Sequence, residues 1–132
     1  MKTFINIQIL IAMLMGTFIS SCHKVYIYEG KAIVLNKTSD LTLNDSVLII
    51  GNVYSAYDTL PEFNAIVWID GTNIKTSTDS LGYFSIKLPP GTYTIKCHRS
   101  GDTGEQPQVL KDIQLLPNEK LKVEFLLRVE IT

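Results

Sequence analysis

Cys97 and His98 stand side by side, the residue types of a thiol nucleophile and its general base. Their adjacency argues against that chemistry. They end the run Thr92 to Arg99, which alternates apolar with polar residues, and neighbouring side chains on a strand point to opposite faces. Tyr93, Ile95 and Cys97 then face inward while His98 faces solvent beside Lys96, which leaves Cys97 as a small buried hydrophobe. The other histidine, His23, has no partner at metal-ligand spacing, so neither a metal nor a cofactor is expected. Asp58 with Glu62, and Asp102 with Glu105, share polar loops that lack the alternating oxygen ligands of a calcium site; they read as solvated carboxylates. No catalytic residue is expected, and the chain reads as a non-enzyme.

The elements around these residues are strands. From Val47 onward, apolar residues recur at every second position in short runs bounded by Gly, Pro, Asn and Asp, the pattern of half-buried antiparallel strands. The inward sets are Ile49, Gly51 and Val53; Ala65, Val67 and Ile69; Phe84, Ile86 and Leu88; and Tyr93, Ile95 and Cys97. A strand through Val109, Ile113 and Leu115 follows, then a final one from Lys120 to Ile131 with Leu121, Val123, Phe125, Leu127, Val129 and Ile131 on one face. Asp70-Gly71 and Pro89-Pro90-Gly91 mark turns. The fold class is all-β, an antiparallel sandwich of about seven strands. Residues 25 to 35 are also β-prone, as an extra edge strand or as a tether lying over the domain.

The first 21 residues join a cationic start, Lys2, to an apolar run through Ile9 to Met15, interrupted upstream by Asn6 and Gln8 and too short to span a bilayer. They read as a signal peptide. The tetrad Ile19-Ser20-Ser21-Cys22 resembles the bacterial lipobox, which makes Cys22 the lipid acceptor. Several acyl chains there, palmitate among them, would hold the protein on a membrane, since one chain binds only marginally. No Asp follows Cys22; His23-Lys24 does, so the outer membrane is expected, in either leaflet. The organisation is therefore 1–21 signal peptide, 22–46 lipid anchor and N-terminal segment, and 47–132 sandwich domain. Using Cys22 for lipid leaves Cys97 without a disulfide partner among the two cysteines. Net charge falls from −1 to −2 when Lys2 is removed, with signs interspersed, which excludes nucleic acid as a partner.

The motifs Ile50-Gly51-Asn52-Val53, Asn64 to Ile69, Thr78-Asp79-Ser80-Leu81-Gly82-Tyr83-Phe84 and Leu88 to Ile95 resemble the carboxypeptidase regulatory-like domain, a transthyretin-like sandwich, over about Val47 to Arg128. The resemblance implies a scaffold or binding module without catalysis. Asp45-Ser46-Val47, Asp58-Thr59-Leu60 and Asp79-Ser80-Leu81 resemble an Asp-Ser/Thr-aliphatic O-glycosylation acceptor, making Ser46, Thr59 and Ser80 candidate sites; turn chemistry explains any single copy equally well.

Ile66 and Trp68 point away from the predicted core, where the resembling domains carry small polar residues, so both are candidate ligand contacts. Either the segment Val25 to Leu35 covers them, or a partner does. The first is the expectation, because that segment must bury Ile27, Ile33 and Leu35. The function expected is a lipid-anchored cell-envelope module making protein or glycan contacts. A carbohydrate-binding or adhesin-like lipoprotein is the alternative, and a small hydrolase the third reading.

Overall fold

The computed structural model describes residues 24–101 and 104–132. The expected signal peptide, the lipid acceptor Cys22, His23 and Asp102 lie outside the described residues.

Among the described residues, ten strands and one short 3-10 turn make up an all-β sandwich. They are β1 (Tyr26–Tyr28), β2 (Lys31–Ser39), β3 (Val47–Ser55), β4 (Ile66–Ile69), β5 (Lys75–Ser77), β6 (Tyr83–Leu88), β7 (Gly91–His98), β8 (Gln108–Leu115), β9 (Glu119–Leu127) and β10 (Val129–Ile131). One sheet runs β2-β9-β3-β6 and the other β5-β4-β7-β8, while β1 and β10 form a two-stranded ribbon. Eight strands, β3 to β10, fall within residues 47–132, against about seven expected there. All pairs are antiparallel except β3 with β9, which is parallel from Leu48↔Lys120 to Ser55↔Leu127.

The period-two pattern sets the core. Ile49, Val53, Val67, Ile95, Leu121, Val123 and Phe125 lose essentially all solvent contact, and Phe84 packs against Phe125 with ring centroids 6.2 Å apart. Each such side chain contributes about 1.5–3 kcal/mol. Gly51 sits opposite Phe84 in the β3–β6 ladder because a side chain there would meet the Val123 carbonyl oxygen at 2.5 Å and the Phe84 ring at 2.8 Å.

Three details depart from the sequence reading. The last strand is two: β9 ends at Leu127, and Arg128 separates it from β10, which pairs with β1 rather than with the sheet. In β8 it is Leu110 that is buried and Val109 that is 40% exposed. An extra residue causes this: Tyr93 pairs with Ile113 but Ile95 with Leu110, and Asp112 takes φ 54° at the bulge, which inverts the face parity of the preceding residues. The segment Val25 to Leu35 forms β1 and most of an edge strand, β2, antiparallel to β9. It therefore belongs to the sheet opposite Trp68 and cannot cover that residue, and Ile27 and Leu35 stay 50% and 47% exposed.

The turn before β6 follows its chemistry. Asp79 Oδ1 accepts from the backbone N–H of Leu81 and Tyr83, both at 2.9 Å, and Gly82 takes φ +72°. A Cβ on Gly82 would lie 2.4 Å from the Val53 carbonyl oxygen, whereas Gly71, at φ +75°, has nothing within 4 Å. Gly82→Ala should therefore cost about 2–4 kcal/mol and Gly71→Ala only about 1 kcal/mol. Urea unfolding of the two variants measures this difference, and equal costs would show that the Val53 contact does not constrain the turn.

Candidate functional site

Strand β4 is four residues long, with Val67 and Ile69 in the core and Ile66 and Trp68 on the outer face. The ladders decide what surrounds them. Lys75 of β5 and Lys96 of β7 lie directly across from Trp68 on its two sides, while Ser77 and His98 flank Ile66. The Trp68 and His98 rings meet edge to face, centroids 4.7 Å apart at 60°. Trp68 is thus half-buried by its strand neighbours, with lysine stems able to lie along the indole.

Beside Trp68 the β4–β5 turn folds into an open depression of about 360 Å³ lined by Trp68, Thr72, Asn73, Ile74 and Lys75. The turn is held by its own threonine. Thr72 Oγ1 donates to the Ile69 carbonyl at 2.8 Å and accepts from the Ile74 N–H at 3.1 Å, and the Ile69 N–H donates to the Ile74 carbonyl at 3.0 Å. Lys96, across from Trp68 in β7, has its Nζ ion-paired to Asp70 Oδ1 at 3.3 Å. An apolar ring next to an amide, a hydroxyl and an ammonium group suits a ligand with an apolar face and several hydroxyls.

The Cys97–His98 pair is separated as the alternation requires. Cys97 is fully buried and pairs across β4 with Val67, while His98 is on the outer face, its Nδ1 against the Arg99 carbonyl oxygen. Burial pushes the Cys97 thiol up to about 12, with nearby Glu62 adding to the rise, so it stays protonated at neutral pH. Among the described residues no three His, Cys, Asp or Glu side chains are grouped so as to hold a metal ion.

Two carboxylates read as solvated are paired instead. Arg99 donates from Nε to Glu62 Oε1 at 3.2 Å, and from Nη1 to Glu105 Oε2 at 2.9 Å and to the Arg128 carbonyl at 2.8 Å. Arg99 continues the inward parity of Tyr93, Ile95 and Cys97, and that parity is the signal from which an inward guanidinium could have been read. Nothing in the sequence pointed to Thr72, Asn73, Ile74 or Lys75. Their role depends on how the turn closes over β4.

Of the candidate glycosylation residues, Thr59 and Ser80 are exposed, while Ser46 is half-buried with its hydroxyl donated to the Leu43 carbonyl. All three aspartates are engaged in their turns: Asp58 Oδ1 accepts from Leu60 N–H at 3.0 Å, and Asp45 accepts from the Asn118 side-chain amide at 3.2 Å.

No protein-family model matches the chain, and no curated protein matches it.

In the native protein Cys97 should resist a thiol reagent and react fully after denaturation, and Cys97→Ala should cost on the order of 1 kcal/mol. Because the folded thiol ionises near 12 and an unfolded one near 9.0, the native state holds the proton longer. Its contribution is fully present below the unfolded value and is lost as pH rises toward the folded one. Unfolding free energy should therefore fall above about pH 9 in the parent more steeply than in Cys97→Ala. Parallel slopes would contradict the burial of the thiol.

Proposed function

We propose that the chain is a lipid-anchored, non-enzymatic module of the bacterial cell envelope, held at the outer membrane by acyl chains on Cys22. Its sandwich, of carboxypeptidase regulatory-like type, contacts an envelope protein or glycan. The family reading is supported by where the quoted motifs sit: Asn64 to Ile69 brings the central strand β4, and Thr78 to Phe84 the Asp79 turn that delivers Phe84 to the core.

The observation that carries the contact reading is Trp68, a large aromatic on an outer sheet face beside an open depression with hydroxyl, amide and ammonium groups. That lining favours a glycan over a protein, which would call for a broader apolar patch. Hydrolysis gains no support from this face, since the Cys97 thiol lies in the core behind it.

Two measurements test the two halves of the proposal. Cys22→Ala should abolish incorporation of labelled fatty acid and shift the protein out of the membrane fraction; unchanged partitioning would sink the anchor. Trp68 is the only tryptophan, so its emission reports the contact face. Titration with N-acetylglucosamine oligomers, peptidoglycan fragments and neutral polysaccharides should change that emission for one class, and Lys75→Ala should weaken the response by about tenfold, the effect of losing one good polar contact. No change with any of them would remove the glycan reading.

A further inference from the structure

The chain that emerges from the expected anchor enters the fold through the β1–β10 ribbon. Tyr28↔Val129 and Lys31↔Leu126 belong to one unbroken register, so β1 and β10 continue the β2–β9 ladder. The neighbouring strand β3 stops at Ser55, opposite Leu127. The ribbon therefore projects past the end of the sandwich. The β3–β4 loop lies at the same end, tied there by the Ala56 N–H to the Leu127 carbonyl at 2.9 Å and by Tyr57 against Tyr28, ring centroids 4.9 Å apart.

This end carries apolar side chains that the core does not use. Val25 is 48% exposed, Tyr26 54%, Ile27 50%, Tyr57 52%, Leu60 62% and Phe63 69%. Arg99 is paired with Glu62 and Glu105, and Arg128 with Glu130 at 3.3 Å, which lowers the cost of bringing those groups against an apolar layer, while Lys24, Glu29 and Asp58 are exposed charges at the same end.

We propose that this end of the sandwich is a membrane-docking surface, with Tyr26, Ile27, Tyr57, Leu60 and Phe63 seated in the interfacial layer of the bilayer that holds Cys22. The inference rests on the lipid-anchor reading. The tether selects the end: only His23 and Lys24 separate Cys22 from Val25, so the two α-carbons are at most about 11 Å apart. A nine-residue strand such as β3 extends about 30 Å, so the tether holds this end near the anchor's bilayer and leaves the opposite end unconstrained. Tyrosine with aliphatic and phenyl side chains is the composition that partitions to the headgroup boundary. Binding then follows apolar area, and the exposed Glu29 and Asp58 against Lys24 give no attraction to anionic lipid.

The test separates docking from acylation. The chain from Cys22 onward keeps every described strand and the whole core; it is coupled through the Cys22 thiol to maleimide lipid in phosphatidylcholine vesicles, a reaction from which buried Cys97 is shielded. In a Trp68→Phe background, Phe63→Trp and, separately, Leu60→Trp serve as reporters. On tethering, their emission should shift to the blue and be quenched at least twofold by brominated phosphatidylcholine, whereas Trp68 in the parent should respond to neither. Reporters that stay red-shifted and open to iodide on the vesicle would overturn the proposal. So would a blue shift that appears without vesicles and grows with protein concentration, the mark of self-association, or a glycan found on Thr59 of the native protein by intact mass. Fatty-acid labelling of the full chain in cells is read independently: its failure removes the enzymatic anchor and leaves the vesicle result to decide whether this end docks.

Discussion

Strand β9 is hydrogen-bonded on both sides for nearly its whole length, antiparallel to β2 and parallel to β3, and every layer of the molecule is referred to it. Its inward residues Leu121, Val123, Phe125 and Leu127 supply the floor of the core, on which Phe84 and the inner faces of β4 and β7 pack. A parallel pair cannot be closed by a hairpin. Here the chain between β3 and β9 builds the whole second sheet and the edge strand β6 before returning, so the parallel ladder closes a loop that contains all of them. The same strand seats the N-terminal segment: without β9 there is nothing to hold β2 at the edge.

Arg99 closes the end of the sandwich at which β9 gives way to β10. Its guanidinium joins Glu62 of the β3–β4 loop and Glu105 of the β7–β8 loop to the main-chain carbonyls of Leu127 and Arg128. Its side chain is 22% exposed, so the Arg128 carbonyl at the strand break is satisfied by a donor that solvent competes for only partly, while the Leu127 carbonyl is already taken by the Ala56 N–H. Thr78 acts alongside it from the core side, donating to the Glu62 carbonyl and accepting from the Ala65 N–H at 2.9 Å. Between them they fix the start of β4, and with it the outward aim of Ile66 and Trp68.

Alternation made the seven central strands legible, because a half-buried strand writes its two faces into the chain and Val47 to Leu127 does so almost throughout. It failed where something other than a regular pleat intervened. The bulge at Asp112 adds one residue and transfers burial from Val109 to Leu110, which no local pattern announces. The break at Arg128 was hidden because Val129 and Ile131 keep the parity of β9 while leaving its sheet. For the candidate site, the outward position of Trp68 followed from its place between Val67 and Ile69. Its surroundings did not: Lys75, Lys96 and His98 become neighbours only through cross-strand register, which depends on turns and pairings far apart in sequence.

The two surfaces singled out are consistent with each other in space. Trp68 pairs toward the β4–β5 turn, and the depression it shares with Thr72 to Lys75 lies where β4 leaves the core, beyond Ile69 opposite Ile95. The apolar ribbon and the β3–β4 loop lie at the other end, where β4 begins beside His98. With the ribbon end seated on the bilayer in the proposed orientation, the depression is carried about the length of the four-residue β4, roughly 13 Å, further from the lipid, facing sideways into the aqueous layer. A domain tethered by a long flexible linker would gain nothing from such an arrangement, because its orientation would average out. On the proposed anchoring, a link of only His23 and Lys24 and the ladder running from β1 into β2 would transmit an orientation set at one end to the proposed contact face at the other.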